Sequence, residues 1–95
     1  MPTPEEKDLL PLHHCHKGQS VRIATLVPQP LFGPQDAQVT MRLKELDFLP
    51  GNRLKVIGFG LLGRDPMAVK VNGTRFALRR AEAAKILVET MEDSP

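Results

Sequence analysis

Short strand-like segments, separated by prolines and glycines, constrain the fold of this chain most. Residues 20–27 alternate between apolar and polar side chains, with Val21 and Ile23 on one face and Arg22 on the other, which is the pattern of a half-buried strand. Prolines and glycines exclude regular structure just after this segment. Strand-like patterns return at residues 53–57, 67–71, 74–78 and 86–89. The chain is therefore predicted to consist mainly of short β-strands.

Two helices are predicted between these strands. Residues 37–47 place apolar side chains at helical spacing on one face, and Asp36 stands at the position of a helix N-cap. Pro50 and Gly51 prevent this helix from continuing. The alanine-rich residues 80–85 suit a second, shorter helix.

The length of the chain and one turn signal complete the fold prediction. A chain of 95 residues builds a single modest core. Asn72-Gly73, between two strand-like segments, is the strongest short signal for a β-hairpin. Five short strands with an inserted helix near residues 36–47 predict a mainly β fold, a small SH3-like β-barrel. The predicted organisation is a flexible lead-in at residues 1–16, a folded domain at residues 17–89 and an acidic tail at residues 90–95.

Composition narrows the class of protein. Apolar residues make up 41% of the chain and charged residues 25%, which is the balance of a soluble globular protein. No apolar run is long enough for a transmembrane helix, and the acidic N-terminus does not resemble a secretory signal. Cys15 is the only cysteine, so an internal disulfide is excluded and a cytoplasmic location is predicted.

The positive charge is concentrated in the middle of the chain. Residues 17–85 hold twelve Lys or Arg and five Asp or Glu, so their net charge is +7. This charge suits an acidic protein, a membrane surface or a nucleic acid, or serves solubility alone. Nucleic-acid binding is disfavoured because four phenylalanines are the only aromatics and the sequence shows no clustered basic stripe. No titratable pair has a recognisable catalytic spacing, so the chain is not predicted to be an enzyme.

Four short segments carry a family resemblance. They are Lys-Gly-Gln-Ser-Val-Arg-Ile at residues 17–23, Arg-Leu-Lys-Glu-Leu-Asp-Phe-Leu-Pro-Gly at 42–51, Gly-Arg-Asp-Pro at 63–66 and Phe-Ala-Leu-Arg-Arg-Ala-Glu-Ala at 76–83. In this order and spacing they resemble the FeoA family, small cytosolic proteins that accompany the bacterial ferrous iron permease FeoB. The resemblance implies an SH3-like barrel that has no catalytic residues and requires no cofactor. It also implies support of ferrous iron uptake through binding to FeoB, a GTP-hydrolysing membrane protein, and only indirect contact with the membrane.

The chain departs from this family pattern at three places. Asp47 stands where the family usually has glycine after the helix, although Asp tolerates the left-handed conformation better than most residues do. Arg64 interrupts a turn that is typically Gly-Asp-Pro. The run His-His-Cys-His at residues 13–16 is not typical of the family, so its chemistry has to be argued from the side chains alone.

This run supplies the candidate metal ligands, which are His13, His14, Cys15 and His16. Imidazole nitrogen and thiolate sulfur suit Zn²⁺ better than Fe²⁺. In an extended backbone alternate side chains share a face, so four adjacent residues cannot easily surround one ion. The prediction is an open zinc site in which two of these residues bind the ion together with ligands from a second chain, a distant carboxylate or solvent ions. Ligands from a second chain would give a metal-bridged homodimer. The alternatives are an Fe²⁺ sensor or chaperone, a disulfide between two chains, or a solvated segment that binds no metal.

The apolar loop at residues 59–63, within the glycine-rich segment 58–66, is the first predicted partner-binding surface. It carries Phe59, Leu61 and Leu62, and it is too apolar for a loop that is merely solvated. The alternative is that Phe59 and one leucine fold back and cap the end of the barrel.

A basic edge is the second predicted partner-binding surface. Arg75, Arg79 and Arg80 are close in sequence, and arginine suits the carboxylates of an acidic surface on a GTPase domain. The alternative is a solvated edge that these arginines share with Lys85.

Overall fold

Six antiparallel strands form one sheet in the computed structural model, which describes residues 9–91. The strands are β1 (Leu9–Pro11), β2 (Ser20–Leu26), β3 (Arg53–Leu62), β4 (Asp65–Val71), β5 (Thr74–Leu78) and β6 (Ile86–Thr90). Their order in the sheet is β1-β6-β2-β3-β4-β5. Within the described residues, β1 and β5 are the two edge strands and do not pair with each other, so the sheet does not close into the predicted barrel. The helices are α1 (Asp36–Glu45) and α2 (Arg80–Ala83), and neither is long and apolar enough to cross a membrane.

One face of the sheet encloses the core, as the alternating pattern predicts. Val21 and Ile23 of β2 are buried, whereas Arg22 between them is exposed. Phe48, which follows α1, is fully buried, and the centroid of its ring lies 5.4 Å from that of Phe76 on β5. The mainly β prediction is confirmed, with both helices near their predicted positions.

The hairpin between β3 and β4 is longer than the sequence predicts. Residues 58–66 were expected to form a loop, but β3 continues to Leu62 and β4 begins at Asp65. The register shifts twice along this pair, which accommodates the glycines as bulges. A Cβ atom on Gly60 would lie 2.5 Å from the backbone oxygen of Asp65, so the close approach of the two strands requires glycine.

The N-terminal segment also differs from the expected flexible lead-in. Residues 9–16 belong to the folded unit, because β1 pairs with β6 and the side chain of Leu12 is completely buried. A strand of three residues that ends in proline is too short to show a readable period, so the sequence pattern missed it. Residues 1–8 and 92–95, which include the rest of the predicted lead-in and tail, lie outside the described residues.

Two turns adopt the left-handed conformation that the sequence predicts. Asn72 and Gly73 join β4 to β5 with φ angles of 50° and 80°. Asp47 has a φ of 75° after α1, and the backbone N–H of Phe48 donates to the carbonyl oxygen of Leu43 at 3.0 Å. This is the hydrogen bond of a Schellman helix end with Asp in place of the usual glycine. It turns the chain so that Phe48 enters the core.

Candidate metal and partner-binding sites

The structure separates Cys15 from the three histidines. A 3₁₀ turn at Leu12–His14 precedes Cys15, whose side chain is fully buried in the core. Burial raises the pKa of the Cys15 thiol to about 11, so the thiol stays protonated at neutral pH. Because a metal ligand has to be a thiolate, Cys15 is poorly suited to join the histidines at one ion.

The three histidines lie at the surface beside the same hollow. His14 and His16 are exposed and His13 is half-buried, with the ring centroids of His13 and His14 4.3 Å apart. Among the described residues, Nδ1 of His13 is a buried nitrogen without a hydrogen-bond partner. Burial lowers the pKa of His13, and the nearby His14 and Arg80 lower it further. At neutral pH this imidazole is therefore uncharged, which is the form that binds metal.

The hollow beside the histidines has a volume of about 310 Å³. Its lining combines the three histidines with Gly63, Arg64, Met67 and Arg80. Within residues 9–91, no group of three His, Cys, Asp or Glu side chains is placed to hold one metal ion. A metal bound here would need a ligand from outside this part of the chain, because tetrahedral zinc takes four ligands.

Phe59 and Leu61 of the β3–β4 hairpin differ in exposure. Leu61 is 100% exposed, whereas Phe59 is half-buried. The guanidinium carbon of Arg64 lies 3.9 Å from the centroid of the Phe59 ring, a cation–π contact that covers this ring. The side chain of Leu62 lies outside the described part of the structure. Among the described side chains of the hairpin, Leu61 is the large apolar one that is exposed.

The predicted basic edge is divided between two elements. Arg75 lies on β5 directly opposite Lys70 of β4. Arg79 is instead the N-cap of α2 and Arg80 is its first residue. The backbone N–H of Arg79 donates to Glu82 at 2.8 Å, and that of Arg80 donates to Asp65 at 2.9 Å. All three arginine side chains are exposed, and Arg80 also borders the histidine hollow.

Lys85 does not belong to a solvated basic edge. Its side chain is fully buried, and its Nζ donates to Oδ1 of Asp36 at 2.6 Å and to the carbonyl oxygen of Val27 at 3.1 Å. The hydrogen bond from Lys85 lowers the pKa of Asp36, and the backbone N–H of Gln29 lowers it further. Asp36 therefore does not act as the predicted N-cap but as the counter-ion of Lys85.

The comparison with protein families identifies the chain. The family model for the FeoA domain matches residues 10–90, which is most of the 95-residue sequence. The chain belongs to the FeoA family. This FeoA-family protein is accordingly associated with ferrous iron transport, as the resemblance of its sequence segments implies. The comparison with curated proteins gave no match.

Solved structures of other FeoA proteins share the fold. FeoA of Stenotrophomonas maltophilia, complexed with zinc and described as a prokaryotic SH3 domain protein, is 31% identical with a TM-score of 0.69, and the match covers 82% of this chain and 87% of that one. FeoA of Chlorobium tepidum is 28% identical with a TM-score of 0.74, and 90% of this chain matches 74% of that one. The prediction of an SH3-like domain is thereby confirmed.

The same fold also occurs inside a longer protein. A manganese-dependent transcriptional repressor is 18% identical with a TM-score of 0.74, and 95% of this FeoA-family chain matches 44% of that chain. At this identity the likeness extends to the fold alone.

Proposed function

We propose that this FeoA-family protein is a non-catalytic cytoplasmic adaptor that supports ferrous iron uptake by binding the cytosolic part of the permease FeoB. The observation that carries the proposal is the full exposure of Leu61 on a hairpin that extends from the sheet. A large apolar side chain in this position gains free energy when a partner covers it, about 1.5–3 kcal/mol for complete burial. Contact with the membrane is indirect, through the permease.

The base of the hairpin is built to hold Leu61 in place. Arg64 packs on Phe59 and donates from Nη2 to the carbonyl oxygen of Cys15 at 3.3 Å, which joins the hairpin to the N-terminal segment. At Gly60 the two strands approach so closely that no side chain fits between them. A preorganised hairpin loses little conformational entropy when it binds, which favours affinity.

Replacing Leu61 with Asp is expected to weaken binding to the isolated cytosolic part of FeoB about tenfold or more. The change removes the apolar contact and places a charge where the partner excludes water. Isothermal titration calorimetry measures the affinity. Leu31→Asp is the matched control, because Leu31 is also an exposed leucine, at 80%, but lies in the segment before α1. Equal affinities of the Leu61→Asp variant and the wild type would contradict the proposal.

A second proposal concerns zinc. We infer that exposed His14 and His16 bind Zn²⁺ together with ligands from a second copy of the chain. The absence of a complete ligand set within residues 9–91 favours such bridging over a site within one chain. FeoA of Stenotrophomonas maltophilia, whose structure includes zinc, is the relative that supports this inference.

A further inference from the structure

The outer face of the sheet carries a cluster of cations that sequence analysis did not find. We name it the basic face and define it by Arg22, Arg53, Lys55, Lys70 and Arg75, all of which are exposed. These residues come from four neighbouring strands, β2 to β5, and alternate with the buried residues of the core. The expectation that the chain has no clustered basic stripe was wrong, because strand pairing brings together residues that are far apart in sequence.

The register places these cations directly opposite one another. Lys55 pairs with Lys70, and Lys70 pairs with Arg75. Arg22 pairs with Arg53 on one side and with Glu89 of β6 on the other. Like charges at directly opposite positions destabilise a sheet. None of the five cations forms an ion pair with a carboxylate of the described residues. The basic face therefore reduces the stability of the free protein, and binding of an anion would remove this cost.

A shallow hollow of about 310 Å³ lies within the basic face. Arg53, Lys55 and Lys70 line it together with the small polar Ser20. Its concave shape and its cations suit single anionic side chains. Arg53 and Lys55 lie two residues apart on β3, so their spacing of about 6.6 Å equals that of carboxylates on alternate residues of an extended chain.

We propose that the basic face binds an acidic segment of a partner protein. The inference rests on the proposed function in taking the partner to be a protein, and it adds a second contact surface to that of Leu61. The acidic segment places alternate carboxylates over Arg53 and Lys55 of β3, beside Lys70 and Arg75 of the two neighbouring strands. Arginine contributes bidentate hydrogen bonds to carboxylates, and lysine contributes charge.

Two other polyanions fit the basic face less well. Neighbouring strands rotate by about 20–25°, so the four strands turn by roughly 60° or more and do not present all five cations to a flat membrane. Single-stranded nucleic acid is bound by aromatic stacking. Among the described residues, Phe48 and Phe76 pack in or against the core, and Phe59 lies under Arg64. Phe32 lies in the segment before α1, so none of the four phenylalanines belongs to the basic face. The face therefore matches an acidic polypeptide best.

The test uses a fluorescently labelled hexaglutamate peptide and two triple variants of the full chain. The first is Lys55→Gln, Lys70→Gln and Arg75→Gln, and the second is Lys17→Gln, Arg42→Gln and Lys44→Gln, which removes the same charge from exposed positions elsewhere. Fluorescence anisotropy is expected to show about a tenfold or greater loss of affinity for the first triple and less than about twofold for the second. Thermal unfolding is expected at a higher temperature for the first triple, since the opposed charges are gone.

Three outcomes would overturn the inference. They are equal peptide binding by both triples, tighter binding of a short DNA duplex than of the peptide, and tighter binding of vesicles that contain phosphatidylserine than of the peptide.

Titration of both triples with the cytosolic part of FeoB separates this inference from the proposed function. If the wild type and the first triple bind FeoB equally, the basic face is not a contact surface for FeoB, but the adaptor function stands. If hexaglutamate binds as expected but the wild type does not bind FeoB, the proposed function fails alone.

Discussion

Replacing Asp36 with Asn is expected to lower the thermal unfolding midpoint by roughly 10 °C or more. Asn keeps the shape of the side chain and an oxygen that accepts the hydrogen bonds of Lys85 and Gln29, but it removes the negative charge. The ammonium group of Lys85, which is fully buried, is then left without a counter-ion. An uncompensated buried charge is costly because it has lost its hydration. Differential scanning calorimetry measures the midpoint.

Replacement of Lys85 is expected to lower the unfolding midpoint much less than replacement of Asp36 does. Lys85→Met removes the buried charge and keeps most of the apolar stem, while the side chain of Asp36 is 23% exposed and still accepts from Gln29. The double variant Asp36→Asn, Lys85→Met is therefore expected to unfold at a higher temperature than Asp36→Asn alone. An Asp36→Asn variant as stable as the wild type, or a double variant less stable than Asp36→Asn, would show that the ion pair does not act in this way.

Low pH is expected to weaken the ion pair between Lys85 and Asp36. The folded-state pKa of Asp36 lies below its unfolded value because Lys85 and Gln29 donate to the charged carboxylate. Below pH 4 or so the unfolded chain binds more protons at this position, so folding stability rises with pH there. The carboxylate of Asp36 contributes its full folding stability above its unfolded-state pKa, and this stability is lost as pH falls through its folded-state pKa. Between about pH 5 and pH 2, the unfolding midpoint of the wild type should fall more than that of the Asp36→Asn variant.

The second prediction with a large expected effect is dimerisation on addition of Zn²⁺. Addition of Zn²⁺ is expected to convert the wild-type protein to a dimer, and His14→Ala with His16→Ala should abolish this change completely. The two exposed imidazoles are the accessible ligands, and removal of both leaves too few donors for a bridging ion. Light scattering of metal-free protein, before and after Zn²⁺ is added, measures the mass.

Cys15→Ala separates the role of the thiol from that of the histidines. Cys15 is buried and protonated, so this variant is expected to dimerise with Zn²⁺ as the wild type does, once circular dichroism shows that it is folded. Loss of zinc-driven dimerisation in folded Cys15→Ala would mean that the thiol binds the metal. A tight response to Fe²⁺ under anaerobic conditions, with none to Zn²⁺, would replace this proposal with the iron-sensor alternative.

The strands and turns could be predicted because their signals are local. Alternating side chains specify β2. Asn72-Gly73 specifies a turn because both residues adopt positive φ angles that most other residues disfavour. The extension of β3 through Gly58 and Gly60 could not be predicted in this way. It depends on how closely Asp65 of the neighbouring strand approaches, and a single segment contains no such information.

The candidate sites show the same division between local and long-range information. The alternate faces predicted for residues 13–16 assumed an extended backbone, whereas Leu12–His14 form a 3₁₀ turn. The burial of Cys15 between exposed His14 and His16 therefore could not be derived from that alternation. The burial of Lys85 could not be predicted, because its partner Asp36 is 49 residues away and alanines precede it as they would on a solvated helix. The basic face likewise exists only once the strands have paired.

Uptake of radioactive Fe²⁺ into bacterial cells tests the central claim most directly. The cells contain FeoB but lack their own FeoA, and they receive this protein, its Leu61→Asp variant or its Leu31→Asp variant at equal amounts. The account predicts that the wild type and Leu31→Asp raise Fe²⁺ uptake and that Leu61→Asp does not. Full uptake with Leu61→Asp, or no effect of the wild type on uptake, would contradict it.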